Sequence, residues 1–291
     1  MSLEIGRLSY PLGAEITGVD ISKPLDEQIR RRIHAAFLEH SVLLFRGQSL
    51  TREQHIEFGR QFGEVDSQDE VPKYKHPDYP QILVHKSNPN GQPADKYPGK
   101  IWHSDHCYRL IPAMATLLRG IDVPRVGGDT MFANMYLAYE ALSEGMKKLL
   151  EGLHGVHYGG KARVDTSTPE RAAQTSQIAP PVAQPLVRVH PETGRKTLFV
   201  GEKCKEIEGL NSDESLLLLR YLCQLAARPQ FVYRHRWQKN DLLMWDNRCT
   251  NHIALNDYDP TQIRHMEKTT LRGTPSGYVF EGSRQYEGPR L

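Results

Sequence analysis

The sequence has few of the features that mark secreted, membrane-bound or nucleic-acid-binding proteins. Its four cysteines include no CxxC pair, which argues against a disulfide framework and a structural zinc site. No stretch approaches the roughly 20 apolar residues of a membrane span, and residues 1–13 lack the basic start and apolar run of a secretory signal. The 37 basic and 35 acidic residues nearly cancel, so no nucleic-acid footprint stands out. We therefore expect a cytoplasmic protein that binds neither nucleic acid nor membranes.

What the sequence does contain fits one globular domain over residues 1–291. With 38% hydrophobic residues in 291 positions, the chain can bury a sizeable core. Short runs such as "SVLLFRG", "FVYRHRW" and "DLLMWDN" indicate strands, and "PLDEQIRRRIHAAFLEH" and "DESLLLLRYLCQLAA" indicate helices. No GxGxxG or P-loop motif is present. The pattern predicts a mainly β protein with flanking helices and an antiparallel jelly-roll core.

Two segments rich in turn-forming residues interrupt this pattern. Residues 74–100 are rich in Pro, Asn, Gly, Asp and Lys, and residues 159–184 are rich in Gly, Ser, Thr, Ala and Pro. Long loops in compact domains are commonly functional. We therefore predict a mobile loop at 74–100 and, at 159–184, an insertion that is either a lid or a surface loop without a function.

The motif "WHSDHCY" at residues 102–108 is the first candidate for chemistry. In a strand, side chains repeat their direction every two residues, so His103 and Asp105 would reach one metal ion together. His106 would then point to the opposite face and have an ordinary packing or surface role. Cys107 is the only cysteine close to this motif, and a reduced, inert thiol is expected there.

A third ligand from elsewhere would complete the two-histidine, one-carboxylate triad of non-heme iron oxygenases. His252, just past the "DLLMWDN" strand, is the leading candidate, while His157, His190 and His235 remain possible in its place.

If 2-oxoglutarate chelates that iron through its keto-acid end, a buried cation must hold its far carboxylate. Arginine suits this role because its planar guanidinium binds a carboxylate through two hydrogen bonds. Arg264 follows His252 at a distance that allows a turn and a returning strand, and Thr130 in "GGDT" offers a hydroxyl donor for the same carboxylate.

Four motifs in this order, "WHSD", "GGDT", "MWDNRCTNH" and "RHMEKTTLRG", resemble the taurine dioxygenase family of iron(II)- and 2-oxoglutarate-dependent oxygenases. The resemblance also includes "GAEITGVD", "VLLFRGQ" and "HPETGRKTLFV", and so extends over nearly the whole chain. It implies a double-stranded β-helix in which iron is held by His103, Asp105 and His252, and 2-oxoglutarate by Thr130 and Arg264. It also implies hydroxylation coupled to decarboxylation of 2-oxoglutarate to succinate and CO2, with O2 as the oxidant.

The expected substrate is a small organic anion of the aryloxyalkanoate, alkyl sulfonate or alkyl sulfate class. In family members that act on sulfonates and aryloxyacids, a second arginine commonly lies four residues after the position of Arg264. This chain has Lys268 at that position. A lysine keeps the charge but makes a single-point contact, so we expect it to bind the substrate's anion. Tyr108 flanks the iron motif and is a candidate substrate contact. A homo-oligomer, dimeric or tetrameric, is also expected.

Three further interpretations of the sequence remain open. "PGKIWHSD" is similar to relatives that oxidise N-substituted glycines, so an N-substituted amino acid is a second substrate class. The same three ligands would suit a zinc hydrolase, although hydrolysis needs no clamp for 2-oxoglutarate. The third interpretation is a jelly-roll protein that binds a ligand without turnover.

Overall fold

The computed structural model describes residues 2–67, 74–87, 99–159 and 180–282, and this part of the chain is mainly β. Its strands are β1 (Glu4–Arg7), β2 (Ala14–Thr17), β3 (Val42–Phe45), β4 (Leu83–Lys86), β5 (Ala113–Asp122), β6 (Thr130–Asn134), β7 (His154–His157), β8 (Val182–Pro185), β9 (Val187–Val189), β10 (Lys196–Leu198), β11 (Cys204–Ile207), β12 (Val232–His235), β13 (Leu242–Asp246), β14 (Thr250–Ala254), β15 (His265–Arg272) and β16 (Tyr278–Val279). Its helices are α1 (Glu27–His40), α2 (Arg52–Arg60), α3 (Met135–Glu140), α4 (Glu144–Leu150) and α5 (Ser212–Ala226).

The largest sheet has seven strands in the order β1-β2-β3-β13-β5-β15-β4. All its pairings are antiparallel except that of β2 with β3. A second sheet has three antiparallel strands in the order β12-β6-β14. The remaining described strands form a four-stranded sheet, β11-β7-β8-β16, and the β9–β10 hairpin.

Both faces of the seven-stranded sheet carry apolar clusters, because successive side chains of each strand point to opposite faces and both sets are apolar. One face packs against α1 and α2, through Leu43, Phe45, Leu117, Leu242, Met244 and Leu271 from the strands and Ile33, Phe37 and Phe58 from the helices. The other face packs against Phe132 and Tyr233 of the three-stranded sheet, through Val42, Leu44, Leu118, Leu243, Trp245 and Met266. The candidate site lies between these two sheets.

Side-chain caps begin the two helices that pack on the seven-stranded sheet. Asp26 accepts a hydrogen bond from the backbone of Ile29 at the start of α1. Thr51 and Gln54 form a reciprocal capping box on α2, which satisfies two backbone donors that the first turn leaves unpaired.

Three local predictions from the sequence are wrong. The apolar pattern across 138–153 predicts one helix. Instead, Ser143 Oγ accepts a hydrogen bond from the Met146 N–H and caps a new helix that begins at Glu144, which separates α4 from α3. Within the predicted loop 74–100, Leu83–Lys86 is a strand paired with β15. The predicted insertion 159–184 ends in a strand, since β8 begins at Val182; its residues 160–179, like 88–98 of the loop, lie outside the described ranges.

Candidate metal centre and cosubstrate site

Two imidazoles and one carboxylate converge between the two sheets. His103, Asp105 and His252 are all buried, and their donor atoms lie within 4.8 Å of one another. The His103 Nε2 atom is 3.7 Å from Asp105 Oδ1, and the His252 Nε2 atom is 3.8 Å from Asp105 Oδ2. The structure therefore brings together the three residues that the sequence singles out as iron ligands.

The reason for this convergence differs from the predicted one. His103 forms only an isolated antiparallel bridge with His252 of β14, and the chain turns at Asp105 instead of continuing as a strand. The bridge places the two imidazoles side by side, with ring centres 4.3 Å apart. The turn brings the Asp105 carboxylate back towards them, and His106 adopts a positive φ of 54° within it.

The orientation of His103 is fixed by a hydrogen bond to the backbone. Its Nδ1 lies 2.7 Å from the carbonyl oxygen of Ile101, so the proton belongs on Nδ1, where it is donated to that oxygen. A bond of this kind leaves Nε2 unprotonated and directed at the ligand cluster, as metal-binding histidines require. His252 is held by packing, with its ring centre 4.8 Å from that of Trp245.

Asp105 is held by a network of neutral donors. Thr116 Oγ1 donates to Asp105 Oδ2 at 2.7 Å, and Asn247 Nδ2 donates to Thr116 Oγ1 at 2.9 Å. The backbone N–H of Asp105 donates to Asn247 Oδ1 at 3.1 Å. Asn247 and Thr116 therefore orient a ligand, and sequence analysis missed Thr116. The only available signal was a hydroxyl within the apolar run "MATLLRG".

Lys268 also reaches this carboxylate. Its Nζ donates to Asp105 Oδ1 at 2.9 Å, and its side chain is only 12% exposed. Lys268 lies on β15 beside Leu118, on the sheet face that lines the cavity. The predicted substrate-binding cation is therefore in the site, and it forms an ion pair with a candidate ligand.

The protonation states suit metal binding. Burial lowers the pKa of His103 to about 4 and holds the pKa of His252 well below the ordinary histidine range, so both imidazoles are neutral near pH 7. Burial by itself raises the pKa of Asp105, but the positive charge of Lys268, 2.9 Å away, is the largest opposing cause, and the pKa lies well below its ordinary value. An ionised carboxylate and neutral imidazoles are the forms that bind metals.

The predicted cosubstrate residues lie at the other end of the same cavity. Arg264 is 2% exposed, and its Nε donates to the carbonyl oxygen of Gly128 at 2.8 Å. Its Nη2 lies 3.5 Å from Thr130 Oγ1, which also accepts a hydrogen bond from Trp237 Nε1 at 3.0 Å. A guanidinium and a hydroxyl therefore lie side by side, as carboxylate recognition requires.

A tight turn positions Arg264. Gly127 and Gly128 both have positive φ, and a Cβ on Gly127 would lie 2.1 Å from the backbone oxygen of Asp257. The Gly128 N–H donates to the Asp257 carboxylate at 2.9 Å. Only glycine fits such a close backbone approach, which explains the "GG" of the "GGDT" motif.

One cavity connects the two groups of residues. It is bounded by His103, Asp105 and His252 together with Thr130, Arg264 and Lys268, and its other described lining residues are His85, Gly99, Leu118, Trp245, Ala254 and Met266. Sequence analysis missed His85, which belongs to the unpredicted strand β4. Tyr108 is not among the described lining residues, and its ring packs against the Lys203 ammonium at 4.3 Å instead.

The three histidines that could have replaced His252 lie elsewhere. His190 Nε2 is 3.0 Å from Asp246 Oδ2, His235 Nε2 is 3.2 Å from Asp241 Oδ2, and the ring of His157 packs against Phe199. His190, Asp246 and Cys249 form a second group of potential ligand atoms, but Arg248 also binds the Asp246 carboxylate. Burial raises the pKa of Cys107 to about 11, which leaves it a neutral thiol.

Similarity to known proteins was found over nearly the whole chain. The family model described as "Taurine catabolism dioxygenase TauD, TfdA family" matches residues 4–270. The α-ketoglutarate-dependent 2,4-dichlorophenoxyacetate dioxygenase of Cupriavidus pinatubonensis is 33% identical, over 93% of this chain and 98% of that protein. The alkylsulfatase of Acinetobacter baylyi is 36% identical, over 93% of this chain and 85% of that protein.

A solved structure shares the fold. The crystal structure of AAD-2 in complex with Mn(II) and N-oxalylglycine superposes with a TM-score of 0.83, at 32% identity over 96% of this chain and all of that one. Among the described residues, no helix is both long and apolar enough to cross a membrane.

Proposed function

The chain belongs to the TauD, TfdA family, and from that membership we propose which of its residues carry the reaction. It is an iron(II)- and 2-oxoglutarate-dependent dioxygenase that uses O2. We assign the iron to His103, Asp105 and His252, and the far carboxylate of 2-oxoglutarate to Thr130 and Arg264. The observation that supports this most strongly is the convergence of two neutral imidazoles and one ionised carboxylate in a buried cavity that also contains Arg264.

The residues present fit an iron(II) site. A facial set of two histidines and one carboxylate leaves coordination positions open for a cosubstrate and oxygen. His103 already directs Nε2 at the cluster, and Thr116 holds one oxygen of Asp105 while the other faces Lys268. These contacts keep the ligands in place, with the neutral Thr116 hydroxyl on Asp105 Oδ2 and not on Oδ1.

The metal and 2-oxoglutarate supply the oxidising chemistry when bound, with decarboxylation to succinate and CO2 and hydroxylation of the substrate. The protein binds, orients and excludes water. Arg264 and Thr130 set the direction of the cosubstrate by holding its far end. Leu118, Trp245 and Met266 supply apolar walls, which exclude water from the reacting groups.

We propose a small organic anion as the substrate, of the aryloxyalkanoate, alkyl sulfonate or alkyl sulfate class. The relatives include a 2,4-dichlorophenoxyacetate dioxygenase, an alkylsulfatase and an α-ketoglutarate-dependent sulfate ester dioxygenase. Within the cavity, Lys268 is the candidate partner for the anion, because its ammonium lies beside the metal ligands. Tyr108 stays a proposed substrate contact, and its ring packs against the Lys203 ammonium.

We further propose that the two facing sheets form the double-stranded β-helix, since the site lies between them as the resemblance implies. The single domain over 1–291, mobility of the loop at 74–100, a lid at 159–184, a cytoplasmic location and a homo-oligomeric state stay predictions from the sequence.

A substrate screen tests this function. The purified protein is incubated with iron(II), O2 and 2-oxoglutarate, and succinate is measured with and without a phenoxyacetate, an alkyl sulfate, an alkanesulfonate or an N-substituted amino acid. We expect one of the first three classes to accelerate succinate formation and to be hydroxylated. Acceleration by the N-substituted amino acid alone would overturn the proposed class.

The same assay distinguishes an oxygenase from a zinc hydrolase and from a protein that only binds a ligand. A zinc hydrolase would cleave its substrate without 2-oxoglutarate and would retain activity with zinc in place of iron. A protein that only binds a ligand would produce no succinate under any condition.

A further inference from the structure

Lys268 occupies an unusual position for a residue expected to bind substrate. Its ammonium is buried and lies 2.9 Å from Asp105 Oδ1. We propose that Lys268 is a built-in counter-cation of the metal-binding carboxylate, which stabilises the metal-free protein and opposes metal binding. This inference rests on the proposed function, because it takes Asp105 to be a metal ligand.

The geometry places the lysine ammonium on the same carboxylate that would bind a metal. Thr116 holds Asp105 Oδ2 at 2.7 Å, which leaves Oδ1 as the oxygen that Lys268 contacts. The same Oδ1 is the atom that faces His103 Nε2, at 3.7 Å. Oδ2 faces His252 Nε2 at 3.8 Å. The ammonium therefore lies against one of the two carboxylate oxygens that Asp105 would offer to an ion.

The positive charge of Lys268 has opposite effects on the metal-free and the metal-bound protein. Without metal, removal of Lys268 leaves an ionised, buried Asp105 without its cation, which destabilises the fold. With metal, the positive charge of Lys268 repels a divalent ion bound to the same carboxylate. A lysine with a purely structural role would affect stability alone.

The arrangement also links metal and substrate. An anion that draws Lys268 away from Asp105 weakens the repulsion and so tightens metal binding, and by linkage the metal tightens anion binding by the same factor. Lys268 would thus disfavour metal binding until an anionic substrate forms an ion pair with it in place of Asp105.

Calorimetric titration of the full chain with Mn(II), in the absence of cosubstrate, tests the inference. Lys268→Met is expected to tighten the dissociation constant by at least about tenfold, because it removes one like charge from the site. The metal-free variant should melt several degrees lower, at about 4 °C or more below the parent. Lys268→Arg keeps the charge and should stay within about threefold of the parent.

Lys86→Met is the matched control. Lys86 lies on β4, the strand next to β15, and its side chain is exposed, so its loss should leave Mn(II) affinity unchanged. If Lys268→Met does not fold, Lys268→Gln removes the charge but retains a donor for Asp105, and the same tightening is expected.

The two possible failures are distinguishable. The counter-cation role is overturned if a folded Lys268→Met or Lys268→Gln variant binds Mn(II) no more tightly than the parent. If the parent does not bind Mn(II), or Asp105→Ala binds it equally well, the proposed metal centre itself is wrong.

Discussion

At the scale of single residues, the position of Asp105 depends on groups that never touch substrate. Thr116 and Asn247 form a chain of hydrogen bonds from the strand face to the carboxylate and to the backbone N–H of Asp105. Partners of this kind orient ligands, and their loss commonly lowers metal affinity about 10- to 100-fold. Sequence spacing identified Asp105 itself, but a threonine within a buried strand has no pattern that distinguishes it from ordinary core residues.

Thr116→Val tests this network. It keeps the shape of the side chain but removes the donor to Asp105 Oδ2, so we expect Mn(II) affinity to fall about tenfold. The control is Thr270→Val, since Thr270 is the neighbour of Thr116 on β15 and its Oγ1 is buried with no hydrogen bond to the described residues. Equal affinities in the two variants would exclude a role for Thr116 in holding the ligand.

At the scale of elements, short-range signals predict helices well and isolated strands poorly. The caps at Asp26 and Thr51 are local contacts, so the start of α1 and α2 can be read from the sequence. By contrast, β4 has four residues beside a polar segment, and it is a strand because it pairs with β15 far along the chain. The turn at Asp105 is equally non-local, because the bridge from His103 to His252 determines its geometry.

The Gly127–Gly128 turn is expected to control the position of Arg264. Gly128 has a φ of 68°, and a Cβ on it would lie 3.2 Å from Arg264 Cδ. Gly128→Ala should displace Arg264 and raise the KM for 2-oxoglutarate about tenfold, since small displacements of a binding group are costly. The KM for the substrate should change much less.

Gly194→Ala separates this effect from backbone strain. Gly194 has nearly the same φ, 69°, but no neighbour within 4 Å of an added Cβ. It should therefore lose stability without a change in the KM for 2-oxoglutarate. A comparable rise in the KM for 2-oxoglutarate in both variants would argue against contact between the added Cβ and Arg264 as the cause.

At the scale of the whole molecule, the site depends on two sheets that face each other. The three-stranded sheet contributes Thr130 and His252, and the seven-stranded sheet contributes Lys268 and the strand that carries Thr116. The sequence motifs predict which residues participate, because the motifs and their order are specific. They do not predict the contact of Lys268 with Asp105, which arises only when β15 lies beside β5.

The central claim is that His103, Asp105 and His252 hold iron so that 2-oxoglutarate can chelate it. The most direct test is anaerobic titration of the iron(II)-loaded protein with 2-oxoglutarate, followed by the visible charge-transfer absorption of a metal-bound keto acid. We predict that the parent and the exposed-site control Asp213→Ala develop this band and that Asp105→Ala and His252→Ala do not. A band of full intensity in either ligand variant would contradict the assignment.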